Sequence, residues 1–208
     1  MINELINRYP SLSDCRQDIE NAAQAMIDCY TQGKKVMICG NGGSCADADH
    51  IVGELMKGFL KKRPFSDTKK QQMLMRYPDL NTQYLDKLQQ GLPALSLCSM
   101  TALNTAFCND VDPNLIYAQS VAGFGTEGDV LICISTSGNA ENVYAAASVA
   151  RALGITVIGL TGCNGGRLNE VSDICIRVPE TETFQVQELH LPVYHYLCAK
   201  AEAHFFPA

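Results

Sequence analysis

Two short stretches carry the residue types that a phosphorylated ligand requires. Gly40-Asn41-Gly42-Gly43-Ser44 and Ser135-Thr136-Ser137-Gly138-Asn139 each follow an unbroken apolar run and precede a helical pattern, so each reads as a strand-to-helix turn. In the first, glycines let the backbone turn tightly and approach a ligand. Its amides and those of the next helix start form an anion site that Ser44 completes. In the second, three hydroxyls stand ahead of a helix start with no charge of their own. Donors of this kind suit a dianion that must bind and leave. One such turn would be an ordinary helix cap, since Ser and Asn lead helices throughout soluble proteins. Two on neighbouring strands read as a phosphate cradle of Asn41, Gly42, Gly43, Ser44, Ser135, Thr136, Ser137 and Asn139. Neither has the GxGxxG pattern with a later acid, nor GKS/T, which disfavours dinucleotides and nucleoside triphosphates.

His50 and Glu54 follow the first turn, four positions apart on one helix face. An imidazole and a carboxylate so placed can ligate one metal or divide general-acid and general-base work. Of the other histidines, His190 and His195 fall on the terminal helix near Gln187 and Glu188, and His204 reads as surface. His190 fits a packing role or a supporting role equally. Gln187 and His195 are separated by about 12 Å of helix rise. They could meet a single atom only by converging from above and below, with Pro192 expected to bend the helix.

The elements that hold these residues alternate along the chain. Apolar runs at 35–39, 93–97, 129–134, 155–160 and 173–178 read as strands, with helices at 12–32, 45–59, 101–107, 113–123, 140–153 and 184–204. Continuous apolar strands between helices mark a parallel sheet covered on both faces. The expectation is one α/β domain over 1–208, doubly wound, with a five-stranded parallel sheet in a three-layer α/β/α arrangement. An N-terminal helical segment covers 1–33. Residues 60–91 break the rhythm, being polar with Pro64 and Pro78, and read as an insertion or lid. Ligands should collect beyond the carboxyl ends of the strands.

The 208 residues carry a formal net charge of -6, which lacks the basic footprint of nucleic-acid binding. The run Lys61-Lys62-Arg63 reads as a solvated loop or helix end. Of the ten cysteines, Cys39, Cys98, Cys133 and Cys175 lie in or beside strand-like runs, and none is spaced CxxC. They behave there as small hydrophobes, which fits a reducing cytoplasm. No signal segment and no apolar run of membrane-spanning length is expected.

GNGGSxADAxH at 40–50 with Glu54 following, GDVLxxISTSGN at 128–139, LTGxxGG at 160–166 and QExHxxxxH at 187–195 together resemble the sugar isomerase (SIS) domain family, and within it the bacterial phosphoheptose isomerases. The resemblance implies an aldose–ketose isomerase acting through an enediol on sedoheptulose 7-phosphate and a manno-heptose 7-phosphate. It also implies Glu54 as base, His195 as acid and Gln187 among the substrate contacts. A zinc held by His50, Glu54, Gln187 and His195 and a homotetramer with sites at subunit interfaces belong to the same pattern. Related modules without enzymatic activity bind a sugar phosphate or associate with the replication initiator; they lack this glutamate, so Glu54 favours the enzyme. Two positions depart from the family, Ala140 in place of a cradle serine and Met100 in place of a sugar-contacting aspartate nine residues before Asn109.

The terminal helix carries Leu189, Val193, Leu197, Phe205 and Phe206 beside its polar residues. A helix apolar on several sides is buried on several sides. This points to a second chain packed on it through helix 12–32, with His50/Glu54 and Gln187/His195 supplied by different subunits.

Overall fold

A computed structural model describes residues 1–207. The strands are β1 (Val36–Gly40), β2 (Ala94–Ser96), β3 (Val130–Ile134), β4 (Thr156–Thr161) and β5 (Ile174–Arg177), all parallel, in the order β2-β1-β3-β4-β5. The helices are α1 (Ile2–Arg8), α2 (Arg16–Thr31), α3 (Gly43–Met56), α4 (Asp67–Arg76), α5 (Thr82–Lys87), α6 (Thr101–Asp110), α7 (Ile116–Phe124), α8 (Glu141–Ala152), α9 (Leu168–Val171) and α10 (Thr183–Phe205). Successive strand residues point to opposite faces, and both faces are covered. Val36, Ile38, Val130, Ile132 and Ile158 pack with α2, α3 and α10. Met37, Cys39, Leu131, Cys133 and Val157 pack with α7 and α8. The expected three-layer architecture is the one observed.

The chain leaves β1 for β2 on one side, then returns to place β3 on the other, paired Gly40 to Ile134. The crevice between β1 and β3 is therefore the switch point at which open α/β sheets bind ligands.

Three local expectations change, at Pro192, in what covers the terminal helix and at the end of the helix carrying His50. The terminal helix runs uninterrupted from Thr183 to Phe205 with Pro192 inside it. Its several buried sides are met within one chain, because α2, α3 and β4 all pack against it. Helix α2 is thus an intramolecular neighbour of α10, and the argument for a second chain there loses its basis. The helix carrying His50 ends at Met56, three residues earlier than expected. Residues 60–91 form two short helices, α4 and α5, capped by Ser66 and Asn81. Leu85 is the one buried side chain of that pair.

His190 is fully buried and neither ring nitrogen has a hydrogen-bond partner. Burial pushes its pKa down to about 4, with the nearby Thr161 backbone opposing. The unfolded chain, whose histidine titrates near 6.5, then binds more protons between those values. Stability present above pH 6.5 is lost as pH falls toward 4, on the order of 2 kcal/mol by pH 5. Urea unfolding at pH 7 and pH 5 measures this, and His190→Leu should flatten the decline.

Candidate functional site

Both glycine- and serine-rich turns sit where the sequence puts them, at the carboxyl ends of adjacent β1 and β3. Gly42 and Gly43 open α3, and Ser44 is buried in its first turn. Ser135 is buried at the end of β3, whereas Ser137 and Asn139 are exposed. The turns are joined by a pairing the sequence did not announce. Asn41 Nδ2 donates to Asn142 Oδ1 at 2.8 Å and Asn142 Nδ2 donates back to Asn41 Oδ1 at 3.0 Å. The Tyr117 hydroxyl from α7 donates to the Gly40 carbonyl at 2.7 Å and reaches Asn41 Oδ1 at 3.2 Å. Asn139 is occupied inside the protein: its Oδ1 accepts from the Arg167 amide at 3.0 Å and its Nδ2 donates to the Ser137 carbonyl. It shapes the cradle by holding the turn after β4.

Ala140 stands at the N-cap of α8 and supplies no side-chain cap. Ala140→Ser is expected to stabilise the protein by about 1 kcal/mol and to add a hydroxyl to the cradle. Thermal melting with and without inorganic phosphate reads both effects.

Helix α3 turns Ala48, Ile51 and Leu55 toward the core, which leaves Asp47, His50 and Glu54 on the side facing α10. His50 Nδ1 meets the Tyr194 hydroxyl at 3.0 Å, and that hydroxyl donates to Asp47 Oδ1 at 3.1 Å. Burial, then Asp47, push the Tyr194 hydroxyl well above its ordinary value, so it stays protonated. A tyrosine that spends its proton on Asp47 accepts from His50 Nδ1. With Nδ1 anchored in this way, the other ring nitrogen, Nε2, faces outward. That Nε2 lies 3.2 Å from Glu54 Oε1 and 3.5 Å from His195 Nε2. His195 is held below the ordinary histidine value by burial first and by His50 second, with Glu54 opposing. Asp47 and Tyr194 went unnoticed in the sequence; the signal was Asp47 three positions before His50 on one helix face.

His50, Glu54 and His195 thus meet within one chain, and no second subunit is needed to bring them together. The reason is geometric. Helices α3 and α10 run in the same direction, so later positions on one meet later positions on the other. The same alignment takes Gln187 away from the histidines and puts its side-chain amide against Gly43, at the cradle end of α3. Gly43 lies about 10 Å of helix rise before His50. The close approach needs a residue without a side chain at 43, because a Cβ there would overlap the Gln187 amide.

Among the described residues no three His, Cys, Asp or Glu side chains close into a ready metal cage. Glu54 and His195 both approach His50 Nε2. Their chemistry still suits zinc: two imidazoles and a carboxylate are its usual ligands, and an edge of a tetrahedron with ~2.1 Å bonds is about 3.4 Å, between the two separations observed. The hydrogen bond that anchors His50 Nδ1 is the kind of support that orients a metal-binding histidine.

The sequence pattern of the SIS domain matches residues 6–90 and 89–162. The chain belongs to the SIS domain family. The SIS match runs across residues 60–90, the stretch set apart in the sequence. Among curated relatives, phosphoheptose isomerase of Rhodospirillum rubrum is 40% identical over 191 residues, spanning 92% of this chain and 88% of that protein. The enzyme of Aneurinibacillus thermoaerophilus is 36% identical over 188 residues, spanning 90% and 82%. The solved structure of a phosphoheptose isomerase from Francisella tularensis superposes with a TM-score of 0.73 at 30% identity, covering 96% of this chain and 97% of that one.

Proposed function

We propose that this SIS-family chain is an isomerase that interconverts sedoheptulose 7-phosphate and the corresponding manno-heptose 7-phosphate. The observation that carries the reading is the convergence of Glu54 and His195 on His50, on the same helix that opens at the phosphate cradle. The phosphate is held at the start of α3 by Asn41, Gly42, Gly43 and Ser44 together with Ser135, Thr136 and Ser137. Glu54 and His50 lie two to three turns further along, with side chains leaning back toward the cradle. An extended seven-carbon sugar phosphate spans that interval better than a triose. The relatives named phosphoheptose isomerase support the same choice.

Glu54 removes the proton from the carbon beside the carbonyl and His195 donates at the carbonyl oxygen, giving an enediol. Return of the proton to the neighbouring carbon completes the exchange between C1 and C2. With its pKa depressed, His195 acts at neutral pH from the neutral ring. Gln187, beside Gly43, contacts the substrate at the cradle end. His50, Glu54 and His195 would hold a zinc, whose contribution when bound is to polarise the sugar oxygens. Glu54 is the one charged ligand of that set, so metal affinity is moderate and falls as the histidines protonate. Near-stoichiometric zinc in protein purified without added metal, and activity lost in chelator, are the expected results. Less than about 0.1 metal per chain with undiminished activity would remove the metal from the reaction.

The working form is a homo-oligomer, a tetramer by family resemblance. Support comes from an open groove of about 510 Å³ beside His195, lined in part by Tyr9, Phe59, Leu60, Leu191 and Tyr196. Because base and acid share one chain, mixing Glu54→Gln with His195→Ala subunits should restore no activity. All ten cysteines are unpaired and no helix among the described residues is long and apolar enough to cross a membrane; both support a cytoplasmic setting. The decisive experiment is incubation with sedoheptulose 7-phosphate and separation of the products. No aldose product at high protein concentration, with and without zinc, would overturn the assignment.

A further inference from the structure

The basic run 61–63, expected to be solvated, ends in a fully buried arginine. Arg63 Nε donates to Glu202 Oε1 at 2.8 Å, Nη1 to the Leu55 carbonyl at 2.7 Å and Nη2 to the Glu54 carbonyl at 3.1 Å. The guanidinium also lies over the Phe206 ring, 4.8 Å from its centroid. Glu202 is buried as well and accepts from the Phe59 and Leu60 amides, each at 2.8 Å. Burial works to raise the Glu202 carboxyl, but these two amides and Arg63 outweigh it and hold the group below its ordinary value.

Taking two charges out of water is costly, and replacing such a pair with apolar groups is often neutral or better. Stability alone is therefore a weak reason for it. Its position offers a stronger one. Helix α3 ends at an extended Lys57, and the one backbone N–H that reaches its last turn among the described residues comes from outside the helix, from Leu92 to the Leu55 carbonyl at 2.9 Å. The final carbonyls of a helix need donors from outside it, and Arg63 supplies two, one of them to Glu54 itself. A cation there also complements the helix dipole. On the other side, Glu202 stands seven residues after His195 on α10, two turns along the same face. Phe59, held through its amide by Glu202, packs its ring against His195 with centroids 5.5 Å apart.

We propose that Arg63, paired with Glu202, is a positioning residue for the isomerisation, fixing the axial offset of α3 against α10 and so the separation of Glu54 from His195. This rests on the assignment of Glu54 and His195 as base and acid. The cradle lies at the opposite end of α3, so substrate binding should be largely spared.

The test uses Arg63→Lys and the double variant Arg63→Met/Glu202→Met, assayed with sedoheptulose 7-phosphate beside Glu54→Gln. Lysine keeps a charge opposite Glu202 but lacks the planar fork that serves a carboxylate and two carbonyls at once. The double variant removes both charges and leaves neither buried alone. Each is expected to lose ~10-fold or more in kcat, the scale of effect that a small misplacement of reacting groups produces, with KM within about two-fold. Where the double variant fails to fold, Arg63→Lys decides. A folded variant with kcat within about two-fold of the parent, whatever its melting temperature, overturns the positioning role. Activity retained in Glu54→Gln overturns the assignment of the base and this proposal with it. Activity lost there and unchanged in Arg63→Lys overturns the positioning role alone.

Discussion

Replacing Glu54 by glutamine is expected to lower kcat on sedoheptulose 7-phosphate by roughly 10²- to 10⁴-fold, the range that a positioned acid or base contributes, with KM changed only a few-fold. The substitution keeps size and shape and alters a side chain that is 15% exposed on a helix whose core contacts are Ala48, Ile51 and Leu55. The fold should survive, as should the cradle at the start of α3. What disappears is the carboxylate that meets His50 Nε2 among the described residues, and with it the proposed base. Exchange of substrate hydrogen with deuterated water provides a second reading, because proton removal can be detected when no product accumulates. Exchange and turnover at the parental rate would take the base away from Glu54.

The largest loss of binding should come from Gly138→Ala. Gly138 has φ +67°, a conformation that alanine resists, and a Cβ there would overlap the Gly165 carbonyl and crowd the Gly166 amide. Those atoms are backbone and are themselves fixed. The Leu168 amide donates to the Gly138 carbonyl at 3.0 Å, the Gly162 amide to the Thr136 carbonyl at 2.9 Å, and the Arg167 amide to Asn139 Oδ1 at 3.0 Å. The turn after β3 and the turn after β4 are interlocked, so neither can move aside alone. Strain of this kind costs about 2–4 kcal/mol, or roughly 5–15 °C in Tm for a protein of this length. The cradle hydroxyls of Ser135, Thr136 and Ser137 belong to the same turn, so KM should rise by at least about ten-fold. Gly43→Ala is the contrasting case. Its Cβ would meet the far end of Gln187, a flexible side chain that can swing away at little cost in stability. Equal melting losses in the two variants would contradict the interlocked turns.

Strands such as Val130–Ile134 were legible because five consecutive apolar residues between turn signals leave few other readings. The two turns were legible because their composition is local: glycines, amides and hydroxyls within five residues. What escaped was set by long-range pairing. Arg63 looks solvated beside two lysines until Glu202, 139 positions away, is brought against it. Helix α3 stops at Met56, and the Phe59 and Leu60 amides just beyond it are drawn off toward that same carboxylate. The rise between Gln187 and His195 is awkward only for two side chains that must meet one atom. Two helices running in the same direction give each its own neighbour, Gly43 for one and His50 for the other. Pro192 marked a break by local rule, yet the surrounding packing carries the helix through it.

The reciprocal amide pair between Asn41 and Asn142 has a chemical consequence over the lifetime of the molecule. Each side chain donates once and accepts once, an exchange that only two carboxamides can make. Deamidation of either would set a carboxylate against the other's carbonyl oxygen, leaving the nitrogen of the surviving amide as the sole attraction. The new negative charge would stand at the rim of the cradle proposed for a dianion, while the sheet beneath kept its hydrogen bonds. An aged preparation would then weaken toward phosphate while its circular dichroism stayed that of fresh protein.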